Sequence, residues 1–72
     1  MAVTNLTCFN TKTGGLKLTW EEQPGEIKNR ATSFLVVEGY RGINEVVNRK
    51  EYSLEGNWSK DPVYEFMVIG KN

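Results

Sequence analysis

The side chains that could perform chemistry in this chain are few and scattered. Its 72 residues include no histidine and a single cysteine, Cys8. This composition excludes a histidine general base, a histidine or multi-cysteine zinc site, and an intrachain disulfide. The adjacent Glu21 and Glu22 would project to opposite faces of an extended chain, so they form no pair for acid–base catalysis. We therefore expect no enzyme activity, no catalytic residues, no cofactor and no metal ligands.

The lone thiol and the paired glycines also have structural interpretations. Cys8 has no neighbouring Lys or Arg to lower its pKa, and strand alternation places it inward, so we expect a buried and unreactive thiol. Gly14-Gly15 would need a following helix to cradle a phosphate. The segment after it is extended in pattern, so the glycine pair predicts a tight hairpin turn.

Charge does not favour a nucleic-acid or membrane partner. Nine Lys and Arg balance nine Asp and Glu, which removes the long-range field that such binders use. Tyr40-Arg41 and Arg49-Lys50 could lie together on one sheet edge and stack on single-stranded bases. Glu38, Glu45 and Glu51 are interleaved with both pairs, so we expect an ordinary charged edge and no nucleic-acid binding.

The elements that position these residues follow a period of two. Leu16, Leu18 and Trp20 alternate with polar residues and predict a strand with one buried face. The preceding segment 5–10 predicts its hairpin partner, with Leu6 and Cys8 inward. Further strands are predicted in 33–40, 44–48, 51–55 and 63–69, with loops around Pro24-Gly25 and over 57–62. No segment sustains a helical period, so the sequence predicts an all-β fold.

Length and composition predict a single domain over residues 1–72. The chain lacks a signal-peptide pattern and has no run near the roughly 20 apolar residues of a membrane span. We therefore expect a cytoplasmic protein, or an extracellular one if the chain is a piece of a larger protein. The source, the partner and the oligomeric state stay open.

A series of short motifs carries a resemblance that spans nearly the whole chain. The motifs are Val3-Thr4-Asn5-Leu6-Thr7, Leu16-Lys17-Leu18-Thr19-Trp20, Phe34-Leu35-Val36, Tyr52-Ser53-Leu54-Glu55-Gly56 and the segment 63–72. Together they resemble a fibronectin type III domain. The resemblance implies an immunoglobulin-like β-sandwich of about six antiparallel strands.

The resemblance also implies roles for individual residues. Trp20 corresponds to the core tryptophan, Leu54 to a buried leucine, and Tyr64 to the tyrosine that opens the sixth strand. The expected core is Leu6, Leu18, Trp20, Phe34, Val36, Leu54, Tyr64, Phe66 and Val68. The chain departs from the family in two ways. The loop before the sixth strand lacks the usual Leu-x-Pro-Gly turn, so Trp58 is expected to fill that pocket, and the chain stops where the family's seventh strand would follow.

The predicted alternation leaves an apolar surface outside the core. If Phe34 and Val36 face inward, Leu35 and Val37 face outward, and the same argument sends Met67 and Ile69 outward on the sixth strand. We expect these four residues, extended by Val46 or Val47, to form one protein-binding patch beside an open edge along 63–69. A register slip by one residue, or a covering loop, would instead bury them.

The leading hypothesis is therefore a non-enzymatic protein-binding module, such as a small microbial or viral accessory or inhibitor protein. Its expected partner is another protein, which includes a second copy in a homodimer or strand exchange. The alternative is a structural assembly or decoration domain that a neighbouring subunit completes.

Overall fold

The computed structural model describes residues 3–22, 30–60 and 63–72. These residues form six strands and one short 3-10 helix. The strands are β1 (Val3–Asn10), β2 (Leu16–Glu22), β3 (Ser33–Glu38), β4 (Ile43–Val47), β5 (Glu51–Leu54) and β6 (Phe66–Lys71), and the helical turn is Trp58–Lys60. None of the described residues belongs to a helix long and apolar enough to cross a membrane.

The strands form two antiparallel sheets of three strands each. One sheet has the order β1-β2-β5 and the other the order β4-β3-β6. The all-β prediction is confirmed. Apolar residues at every second position favour this arrangement, because a sheet with one covered face buries all of them. The predicted loop at Pro24-Gly25 and the Pro62 end of the loop over 57–62 lie outside the described residues.

The hairpin between β1 and β2 depends on the two glycines. Gly14 has a φ of 90°, which a residue with a side chain rarely adopts. The Gly15 carbonyl accepts a hydrogen bond from the Thr11 amide at 2.9 Å. A Cβ atom added to Gly15 would lie 2.6 Å from the Leu54 carbonyl oxygen. Gly15 therefore brings the hairpin close against the end of β5.

The core lies between the inner faces of the two sheets. Leu16, Leu18 and Trp20 enter it from β2, and they meet Phe34, Val36 and Val68 of the other sheet. The rings of Trp20 and Phe34 pack edge to face with centroids 5.6 Å apart. Eight of the nine members of the expected core lie in or against this cluster. Five of them are buried, namely Leu18, Trp20, Phe34, Val36 and Val68, whereas Leu54, Tyr64 and Phe66 are half-buried and pack around it.

Strand β1 departs from the predicted burial. Leu6 is 39% exposed and Cys8 is also exposed, so the predicted burial of both residues is wrong. Cys8 lies opposite the fully buried Leu18 and thus on the inner side of the sheet. However, β1 is an edge strand, and its register with β2 shifts between Thr4 and Thr7, where Asn5 has a φ of 53°. The alternation predicts which side of the sheet a residue faces, but it does not predict whether the opposite sheet covers that residue.

The sixth strand begins later than the sequence predicts. The segment 63–69 was expected to be extended throughout, but β6 starts at Phe66, and Tyr64 precedes it. The amide of Glu65 donates to the side chain of Glu38 instead of joining a sheet ladder. Similarly, β3 ends at Glu38, and Tyr40 belongs to the following turn.

Candidate functional site: the outer face of the second sheet

The side of the sheet β4-β3-β6 that points away from the core carries two transverse rows of side chains. Leu35 on β3 lies opposite Ile69 on β6 and Val46 on β4. Val37 lies opposite Met67 on one side and Asn44 on the other. Because paired residues of antiparallel strands project to the same side, the register places all four predicted patch residues on one surface. We call this surface the outer face.

The outer face is apolar and partly open to solvent. Met67 is 54% exposed and Val46 is 65% exposed, whereas Leu35, Val37 and Ile69 are half-buried between their neighbours. Val46 extends the patch as one of the two expected options. Val47 does not extend it, since it lies opposite the core residue Phe34 and packs against the core.

A charged residue stands at each end of the outer face along β6. Lys71 has the same strand parity as Met67 and Ile69, and the hydrogen bond from the Gly39 amide to the Glu65 carbonyl continues that register by one pair before β6. Glu65 and Lys71 therefore flank the apolar residues on the same side. Both are exposed, and neither side chain forms an ion pair within the part of the chain that the structure describes. The outer face thus has an acidic end, an apolar middle and a basic end.

The edge of β6 beside the outer face is open only in part. The Gly39 amide donates to the Glu65 carbonyl at 3.0 Å, so Glu65 directs its backbone groups toward β3. In an antiparallel ladder this direction alternates, and the backbone groups of Phe66 and Val68 therefore point away from β3. Val68 is only 4% exposed and Gly70 is also buried. The accessible part of the expected open edge is therefore limited to its start, around Phe66 and Met67.

Glu38 is a buried carboxylate at one end of this sheet, although the sequence predicted it on a solvated edge. Glu38 has no solvent exposure, and its two oxygens accept hydrogen bonds from the Arg41 amide and, at 2.7 Å, from the Glu65 amide. Burial raises the pKa of Glu38, but the backbone hydrogen bonds from Glu65, Arg41 and Tyr40 and the Arg41 charge outweigh it and lower the pKa. The alternation Phe34, Val36, Glu38 was the signal that could have revealed this burial.

Arg41 lies against an aromatic cluster at the same end of the molecule. Its guanidinium is 4.6 Å from the ring centroid of Trp58 and 5.9 Å from that of Tyr64. It also donates to the Val63 carbonyl at 3.1 Å. Trp58 packs against Tyr64 and Phe66 with centroids 6.0 and 6.1 Å away. These contacts hold the Arg41 side chain in place. Trp58 packs against the core, on the side where it was expected to fill a pocket.

The two basic-aromatic pairs considered for nucleic-acid contact are not brought together. Arg41 precedes β4, whereas Arg49 and Lys50 follow it, so the two pairs lie at opposite ends of that strand. Arg49 is 3.8 Å from a carboxylate oxygen of Glu51, and Lys50 is 3.7 Å from one of Glu22. These pairings support the interpretation of the basic residues as an ordinary charged edge.

Within residues 3–22, 30–60 and 63–72, the remaining titratable groups form no reactive cluster. Partial burial raises the pKa of the Cys8 thiol, and a hydrogen bond with the Tyr64 side chain lowers it by less. Burial and the charge of Glu45 raise the pKa of Tyr52. No group of three or more Cys, Asp or Glu side chains among the described residues is arranged to hold a metal ion.

Comparison with models of protein families, with curated proteins and with solved structures finds no match for this chain.

Proposed function

We propose that this chain is a non-enzymatic protein-binding module that docks a polypeptide on the outer face, with the start of the β6 edge beside it. The single observation that carries the proposal is the register that aligns Leu35, Val37, Met67 and Ile69 in adjoining rows on one exposed surface. Covering such a surface stabilises a complex by about 25 cal/mol for each Å² of apolar area removed from water. An apolar patch of this kind typically marks an interaction site on a soluble protein.

We also propose a fibronectin type III-like architecture for the domain. The strand order β1-β2-β5 facing β4-β3-β6 supports it, as does the position of Trp20 between the two sheets. Tyr64 just before β6 is consistent with the tyrosine that opens that strand in the family. We propose that such a module acts as an accessory or inhibitor protein of a microbe or virus.

A second candidate function is an assembly or decoration domain that a neighbouring subunit completes. The observation that favours it is the exposure of Cys8 on the inner side of β1, where a further strand would cover it. Light scattering separates the two functions. A binding module stays monomeric or dimeric at micromolar concentration, whereas an assembly unit forms higher oligomers.

A selection from a displayed library of random peptides tests the leading proposal without a known partner. We expect the wild-type chain to enrich peptides whose binding is lost with Val37→Glu and Ile69→Lys. Binding should persist with Lys12→Ala. This control changes an exposed residue in the turn between β1 and β2, which belong to the other sheet. Failure to enrich peptides, or enriched peptides that bind the patch variants normally, would contradict a binding role for the outer face.

A further inference from the structure

We propose that the polypeptide that docks on the outer face is a second copy of this chain, with the two β4-β3-β6 sheets packed face to face about a twofold axis. This inference rests on the proposed function of the outer face and names the partner. Its basis is the distribution of charged and apolar residues along β6.

The charges at the two ends of the outer face are complementary to each other. A twofold axis that lies between the faces and runs across the strands places β6 of one copy antiparallel over β6 of the other. Glu65 of each copy then faces Lys71 of the second copy. Both side chains are exposed and form no ion pair within the described residues, so the contact does not compete with an existing one. Like charges never meet along β6 in this arrangement.

The same operation matches the apolar rows. Met67 of one copy covers Ile69 of the other, and the row that contains Leu35 covers the row that contains Val37. Each copy thus buries its most exposed apolar residue of β6, Met67, which is 54% exposed. The face is only three strands wide, so the interface is smaller than that of an obligate dimer and the association is weak and reversible.

Sedimentation equilibrium with charge-reversal variants at low salt tests the twofold pairing. The wild-type chain should show a monomer–dimer equilibrium. Glu65→Lys alone and Lys71→Glu alone should each weaken the dimer by about tenfold or more, because each places like charges together at both ends of the interface. An equimolar mixture of the two variants should restore association, since both charge pairs between the different chains are again attractive. The double variant should also dimerise.

A variant on the central strand separates face-to-face packing from pairing along the β6 edge. Val37→Glu lies on β3, one strand away from that edge, and should abolish the dimer. Ser53→Glu is the matched control, because it adds the same charge at an exposed position of β5 in the other sheet. It should leave the dimer unchanged.

Three outcomes would overturn the inference. The wild type could remain monomeric up to millimolar concentration, the mixture could fail to restore association, or the dimer could survive Val37→Glu. The peptide selection distinguishes these results from failure of the proposed function, because peptides that require the outer face would still be enriched if another protein were the partner.

Discussion

Glu38 shows how one buried charge can organise the end of a sheet. Its carboxylate accepts hydrogen bonds from a backbone amide of the turn after β3 and from one of the segment before β6. The Arg41 guanidinium lies 3.5 Å from one of its oxygens. The neutral amide of a glutamine at this position would accept hydrogen bonds with its oxygen only, and it would have no negative charge to attract Arg41. Glu38 therefore fixes the position of Glu65 at the acidic end of the outer face.

We expect Glu38→Gln to lower the melting temperature at neutral pH and to flatten the acid dependence of stability. The folded-state pKa of Glu38 is lowered, so its contribution is complete above the unfolded value of about 4.3 and is lost as the pH falls through the folded value. Thermal melts from neutral pH to below pH ~3 measure this. Glu55→Gln, which changes an exposed carboxylate, is the control. Equal acid profiles for wild type and Glu38→Gln would refute the assignment.

Trp20 is expected to be a fold residue only. It is 3% exposed and packs on Phe34, and its indole nitrogen has no hydrogen-bond partner among the residues that the structure describes. Trp20→Ala should cost about 3–5 kcal/mol, a large share of the stability of a small domain. Trp20→Phe should cost less, because it retains an aromatic ring and removes the unpaired N–H. Urea unfolding measures both, and a Trp20→Ala variant of wild-type stability would show that the core is assigned wrongly.

Cys8 is expected to react slowly but without unfolding of the chain. Its side chain is exposed, while its pKa is raised, so the thiolate fraction at neutral pH is small. The rate at which a small thiol reagent labels the native protein should keep increasing as the pH rises past the ordinary thiol pKa, where the rate for an unperturbed thiol levels off. Labelling that proceeds only at the rate of global unfolding would instead indicate the buried thiol that alternation alone suggested.

Among the elements, the central strands could be predicted from sequence and the edges could not. Leu16, Leu18 and Trp20 alternate strictly on β2, which lies in the middle of its sheet, where the opposite sheet covers its inner face. Strand β1 has one neighbour in its sheet, so the same period gave the wrong burial for Leu6 and Cys8. Coverage depends on the opposite sheet, which a local period does not encode.

The candidate site shows the same division. The outward direction of Leu35 and Val37 follows from the buried neighbours on β3, and these pair with β6 in the expected parity. The burial of Gly70, which narrows the open edge, could not be predicted, since a local period does not show which other parts of the chain cover a glycine. Glu38 was missed because a charged residue is usually assigned to solvent even where its strand parity points inward.

The β1–β2 hairpin provides a prediction at the element scale. Gly15→Ala should destabilise the domain by about 1–3 kcal/mol, because the added methyl group would collide with the Leu54 carbonyl at 2.6 Å. Gly39→Ala is a matched control, since its methyl group would meet only the flexible side chain of Glu65 at 3.4 Å. Denaturant unfolding compares the two variants. Equal stability losses would mean that the hairpin does not lie close against β5.

At the scale of the whole molecule, the proposed function assigns the core to the inner faces of both sheets and binding to the outer face of one. Their inner faces share the core of Leu16, Leu18 and Trp20 with Phe34, Val36 and Val68. The outer face of β4-β3-β6 makes no contribution to that core, so it is available for a partner. A charge at Val37 should consequently change the free energy of unfolding by less than about 1 kcal/mol while it removes binding.

The most direct test of this account is the footprint of a bound polypeptide, measured by backbone-amide NMR of the isotope-labelled chain. Either increasing the concentration of the chain itself or adding an enriched peptide provides the polypeptide. We predict that the shifted amides cluster at Leu35, Val37, Met67 and Ile69 and that the same titration of Val37→Glu shows no cluster. A footprint on the sheet β1-β2-β5, or along the inner side of β1 around Cys8, would contradict the assignment of the outer face as the binding surface.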